Sequence, residues 1–136
     1  MKKRYIAGLF CLIAIATLGV AFAESETIGD FTFNIPDGYK LIDNQNSFDE
    51  PFTIENRTYQ NDKGDTLIIE HHVGEGVTFS EVTLDPGTSQ MTIGKYEGTF
   101  KTVDNSSYSF SYVEIGGNEA FVVKASSPDI IKEVLK

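Results

Sequence analysis

The sequence predicts an α+β domain: an antiparallel β-sheet of about six to seven strands with a short C-terminal helix packed on it. Three observations carry this. Short segments rich in Thr, Val, Ile, Phe and Tyr alternate apolar with polar residues and are punctuated by Gly, Asn and Asp. Two of them, 108–115 and 119–125, meet across Gly116-Gly117-Asn118. Ser127-Pro128-Asp129 then opens a run with helical rather than strand periodicity.

Residues 1–23 come before the domain and read as a secretory signal. Lys2, Lys3 and Arg4 form a basic start, residues 5–22 an apolar run, and Ala21-Phe22-Ala23 a small-x-small cleavage site. The run approaches the ~20 residues that span a bilayer, so the alternative is an uncleaved anchor with the domain facing outward. Both place residues 24–136 outside the cytoplasm, either secreted or tethered at the cell surface. Cys11 is the single cysteine and lies within this segment, so the mature chain forms no disulfide and depends on a core. Removing residues 1–23 takes away three basic and no acidic residues, and the formal net charge goes from −9 to −12. So acidic a surface repels nucleic acid and anionic headgroups. Membrane contact is expected only through residues 5–22, if they are retained.

Along the mature chain, Phe31, Phe33 and Ile35 share one strand face. Pro36-Asp37-Gly38 then turns the chain into a second short strand at Tyr39 and Leu41, giving an opening hairpin. Residues 44–51 read as a polar loop. A third strand is expected over 52–60 and a fourth over 66–73, joined by a glycine-containing turn at Asn61–Asp65. The stretch 74–89 is rich in glycine and acid and reads as an irregular connection. Segments 91–93 and 96–103 are strands, with Gly94 and Gly98 as candidate bulges. In the closing hairpin, Phe110, Tyr112, Phe121 and Val123 fall on one face and form the candidate core. In the helix, Ser127 suits the N-cap, Pro128 the first turn and Asp129 the positive dipole end. Ile130, Ile131, Val134 and Leu135 face the sheet.

Candidate chemistry is sparse. His71 and His72 are adjacent strand residues and point to opposite faces, so joint chelation of one metal is disfavoured. They form the weak metal alternative. His71 is expected to be half buried and His72 at the surface. The segment Asn61-Asp62-Lys63-Gly64-Asp65 lacks the alternating acids and distal Glu of a calcium loop and reads as a turn. A calcium site would need Asp49, Glu50 or Asp65 together. No nucleophile elbow, cysteine–histidine pair or phosphate loop occurs in the mature chain, and nothing in spacing selects a carboxylate pair. No catalytic residue and no cofactor is expected. Two sequons, Asn56-Arg57-Thr58 and Asn105-Ser106-Ser107, are possible N-glycosylation sites, with Asn105 better placed in a hairpin loop. Tyr39, Phe48, Tyr59, Phe79 and Tyr96 are left without an assigned core role.

The stretch Phe31-Thr32-Phe33-Asn34-Ile35-Pro36-Asp37-Gly38-Tyr39, a strand running into P-x-G-aromatic, resembles the start of PsbP-like domains. The two closing strands and the Ser126-to-Leu135 helix are similar to the end of such domains. The layout also resembles small uncharacterised exported proteins of archaea and Gram-positive bacteria. This resemblance implies an α+β sandwich with a non-enzymatic accessory or binding role, and it supplies no catalytic residues. The expected function is an exported accessory domain acting through a protein partner at the cell envelope. Such a domain would present an exposed apolar patch or an unprotected sheet edge. The alternative, a small extracytoplasmic hydrolase or metal-dependent enzyme, would need a cleft where His71 or His72 meets two carboxylates.

Overall fold

The structure is a computed structural model that describes residues 24–82 and 84–136. The expected signal segment and Cys11 lie outside the described residues. Among the described residues nine strands and one helix follow in chain order: β1 (Glu24–Ile28), β2 (Phe31–Ile35), β3 (Lys40–Asp49), β4 (Phe52–Gln60), β5 (Thr66–Gly74), β6 (Thr88–Ile93), β7 (Tyr96–Asp104), β8 (Ser107–Val113), β9 (Glu119–Ala125) and α1 (Pro128–Val134). Strands β3 to β9 form one antiparallel sheet in the order β3-β4-β5-β9-β8-β7-β6, and β1 and β2 form a separate two-stranded sheet. The protein is thus mostly antiparallel β with one short C-terminal helix, its balance well toward β.

The closing hairpin is as the alternation requires. Phe110 pairs with Val123 and Tyr112 with Phe121, so all four share a face. Phe110, Phe121 and Val123 are fully buried there, with Leu67 and Ile69 of β5 beside them. One-sided strands need a cover, and the β1–β2 hairpin and helix α1 provide it. Phe31, Phe33 and Ile35 of β2 point down onto the sheet and are buried, while Thr32 is exposed and Asn34 half buried. Helix α1 lies against β2, β8 and β9. The Ser127 side chain accepts from the Ile130 N–H at 3.3 Å, with Pro128 in the first turn, and Ile131, Val134 and Leu135 are buried. Asn34 Nδ2 donates to the Lys136 carbonyl at 3.2 Å and joins the end of the chain to β2.

Phe121 is the centre of this core. Its ring lies 4.9 Å from Phe31, 5.1 Å from Phe33, 5.1 Å from Tyr96 and 5.4 Å from Tyr112. Most of these contacts are edge-to-face, the arrangement that the ring quadrupole favours by about 0.5–1.5 kcal/mol per pair. Tyr59 and Tyr96, unassigned from the sequence, are core residues, and Tyr39 is partly buried against the core.

The structure corrects three expectations. The opening hairpin pairs β2 with β1 across Gly29-Asp30, not with residues 39–41. The Pro36–Gly38 turn does form, with Tyr39 N–H donating to the Pro36 carbonyl at 3.1 Å. It carries the chain out of the covering layer to the edge of the large sheet. Residues 44–49, expected as loop, complete β3 and pair with β4 through Asp49↔Phe52. A polar edge strand lacks the apolar alternation by which a half-buried strand is recognised. Gly94 lies in the β6–β7 turn and Gly98 in continuous register opposite Met91, so neither forms a bulge. Gly98 is needed instead because a Cβ there would strike the Phe110 ring and the Ser111 carbonyl.

Phe121→Ala should cost about 3–5 kcal/mol, the range for emptying a buried phenylalanine site. Urea unfolding followed by circular dichroism measures it, and a loss below about 1 kcal/mol would show that Phe121 is not the centre of the core.

Candidate functional site

His71 and His72 point to opposite faces of β5, as strand alternation requires, and each meets carboxylates of its own. On the core face, β5 pairs with β9 so that His71 faces Phe121. The imidazole is buried, edge-on to Phe31 at 5.9 Å. Its Nε2–H donates to Glu119 Oε1 at 2.7 Å, and the Asp30 backbone N–H donates to the same oxygen at 3.1 Å. The β1–β2 turn therefore sits directly on this pair. A Cβ at Gly29 would overlap both the Glu119 carboxylate and the His71 ring, and its φ of 61° is one that a side chain disfavours.

Glu114, at the start of the β8–β9 loop, completes the group. Carboxylate oxygens of Asp30, Glu114 and Glu119 lie within 4.8 Å of one another. Glu119 is half buried, and burial alone raises its pKa. The hydrogen bonds from His71 and Asp30 outweigh this and hold it below the usual carboxylate range. Asp30 is exposed, and its carboxyl is raised by a hydrogen bond to Glu119 and by that neighbour's negative charge. Chemically, the group is three oxygen ligands at the surface with a histidine beneath one of them. That histidine's Nε2 is already committed to Glu119.

On the opposite face, Glu70 accepts from His72 Nε2 at 3.2 Å and from Lys124 Nζ at 3.0 Å. The His72 hydrogen bond leads, and together with Lys124 it overcomes partial burial and draws Glu70 down to about 2. This face carries no helix or strand layer among the described residues. A groove of about 330 Å³ runs across it, lined by Glu70, Lys101, Ser109, Ser111, Val122 and Lys124 among others. On the same face the Phe52 and Phe79 rings stack 6.0 Å apart, with His72 edge-on to Phe52 at 6.3 Å. Phe79 is held there because residues 74–79 bond to the β8–β9 turn, Phe79 N–H donating to the Gly117 carbonyl at 2.9 Å.

Asn61 closes its turn with its own side chain, whose Oδ1 accepts from the N–H groups of Lys63 and Asp65 at 3.0 and 2.9 Å. Asp49 and Glu50 lie at one end of β4 and Asp65 beyond the other, so the strand holds them apart. Asn56 sits mid-strand on β4, opposite Glu70 and half buried, whereas Asn105 is exposed in the β7–β8 turn. Arg57 is buried on the core face of β4. Its Nη1 donates to Glu26 at 2.7 Å and its Nε to Glu55 at 2.6 Å, tying β1 to the sheet.

Sequence reasoning missed the Asp30–Glu114–Glu119 group. Asp30 and Glu119 are 89 residues apart, and only docking of the β1–β2 turn on β9 brings them together. It also missed β3. All ten β3 residues are exposed at an edge of the large sheet, including Leu41, Ile42 and Phe48 at 41%, 57% and 66%.

No family model, curated protein or solved structure matches the chain.

Because the folded pKa of Glu70 is depressed, its ion pairs stabilise the protein fully above the unfolded value of 4.5. That contribution is lost as pH falls through about 2. Glu70→Gln should therefore flatten the part of the acid-unfolding profile between about pH 5 and 2, read by circular dichroism. A profile unchanged by the substitution would mean that Glu70 is not held down by His72 and Lys124.

Proposed function

We propose that this chain is exported by its N-terminal segment and acts at the cell surface as an accessory binding domain. In this reading an extended segment of a protein partner adds to the free edge of β3. The observation that supports it is β3 itself: ten exposed residues at a sheet edge, bearing three exposed large apolar side chains. An edge strand presents a row of unpaired N–H and C=O groups, and proteins ordinarily shorten, cover or charge such edges. This edge is long and uncovered, and the stretch from Asn44 to Phe48 carries no charge. Strand addition on such an edge draws affinity from the main chain and specificity from alternate side chains. The resemblance of both chain ends to PsbP-like domains points to the same kind of role.

The test is capture of the partner from the cell surface by wild-type protein and by a Leu41→Lys, Phe48→Lys variant. Both side chains are exposed, so the variant should keep the wild-type melting temperature while partner recovery falls at least about tenfold. Intact mass of the bait should show a chain beginning at Glu24, or the full chain if the segment is retained. Equal recovery by the two proteins would sink edge docking.

The group of His71, Glu119, Asp30 and Glu114 favours a second reading, a metal-dependent enzyme. A ligand that binds only the folded state raises its stability. Under this reading Ca²⁺, Mg²⁺ or Zn²⁺ raises the melting temperature of the wild type, and Glu114→Gln abolishes the rise. No rise with any of the three removes it.

A further inference from the structure

We infer that the strand added to β3 is β3 of a second copy of this chain, in an antiparallel two-fold dimer centred on Gln45. This rests on the edge-docking reading above and names its partner.

The strand is self-complementary once its irregularity is counted. Against β4, β3 has nine paired positions, because the register shifts between Leu41 and Asp43 and Ile42 is the extra residue of a bulge. A two-fold axis perpendicular to an antiparallel sheet requires that paired residues lie on the same face. An odd number of positions satisfies this, with the central one facing itself. Counting from either end, the fifth position is Gln45. Without the bulge the ten residues would be even in number, and full overlap would set each side chain against one from the wrong face.

The pairs that follow are chemically matched. Lys40 meets Asp49 of the second copy, and the symmetry repeats this at the other end. Leu41 meets Phe48, Asp43 meets Ser47, Asn44 meets Asn46, and Gln45 meets its own copy. Leu41 and Phe48 both lie on the face that carries the β1–β2 layer, because they pair with Tyr59 and Thr53 of β4. Lys40 and Asp49 both lie on the other face, opposite Gln60 and Phe52. The two basic–acidic pairs fall at the ends, the two apolar pairs just inside them, then Asp43 against Ser47, and amides fill the middle. No position sets like charges against each other, which matters for a chain this acidic. Opposed cross-strand ion pairs and apolar pairs each favour pairing, whereas like charges directly opposite disfavour it.

The other edge, β6, does not offer this. It has six paired positions and no charged residue, so full overlap with its own copy fails the same face rule. Pairing β3 with β6 of another molecule is head-to-tail and leaves an edge open at each end, which propagates rather than closes. Pairing β3 with β3 closes and joins two seven-stranded sheets into one.

The experiment is sedimentation equilibrium on protein isolated from the cells that make it. The variants are Lys40→Asp, Asp49→Lys and the double exchange. Each single change places like charges opposite one another at both ends and should weaken the dimer about tenfold. The double exchange restores opposite charges and should recover wild-type association. A dimer indifferent to the single changes, or one that the double exchange fails to restore, overturns the inference. So does a wild type that stays monomeric at about 0.5 mM, well above the range of specific association. Hydrogen exchange of β3 amides in protein captured with its cell-surface partner separates that last outcome from failure of edge docking itself. Protection on a monomeric chain leaves a different partner on the same edge, while free exchange removes both readings.

Discussion

The burial of one face of the large sheet around Phe121 is the constraint on which the rest of the structure depends. Strands β5, β8 and β9 bring Leu67, Ile69, Phe110, Phe121 and Val123 to a single surface, and water must be excluded from it. Neither cover is stable alone. A seven-residue helix and an isolated hairpin of two five-residue strands are both marginal in water, so they form because they dock. The strand alternation of Phe31, Phe33 and Ile35 and the helical spacing of Ile131, Val134 and Leu135 are two solutions to the same demand. With no disulfide available among residues 24–136, this interlocking of the β1–β2 hairpin and α1 with the sheet centre takes the place of a covalent staple.

The polar contacts at the rim of that core follow from the docking. Arg57 is buried because β1 covers β4, and it remains charged because Glu26 and Glu55 answer it on two sides. Breaking such a buried pair leaves an uncompensated charge, at a cost of about 3–5 kcal/mol. His71 is in the same position one strand over. Its bond to Glu119 satisfies a ring that would otherwise be buried without a partner, and Glu119 also receives the N–H of the β1–β2 turn. The carboxylate group at the surface is therefore tied to the covering layer.

The covering also leaves the molecule unequal. One face is sealed by residues from both ends of the chain, while the other keeps a shallow groove crossed by the Glu70–Lys124 pair. At the edges, β3 extends beyond the covered area with all its side chains in solvent. A sheet sealed on one face and open along an edge is suited to growth by strand pairing. The bulge at Ile42 sets which residues such pairing would bring together.

Local signals alone were enough for much of this architecture. Period-two alternation marked β2, β4, β5, β7, β8 and β9, and the Ser127-Pro128-Asp129 start marked α1, because these depend on neighbouring residues and on which face must be dry. The pairing of Phe110, Tyr112, Phe121 and Val123 was legible for the same reason. Residues 44–49 were not, since an edge strand wet on both sides has no apolar period to read. The partner of β2 was not legible either: the Pro36–Gly38 turn is real, but where the chain goes after it depends on the open edge of β4. Asp30 meeting Glu119 and His71 across 89 and 41 residues is a product of docking, and no local spacing encodes it. Sequence by itself determined the strands that need a dry face and the helix that covers them. Tertiary structure alone decided which strand remained at the edge and which carboxylates came together, because both depend on contacts between segments far apart in the chain.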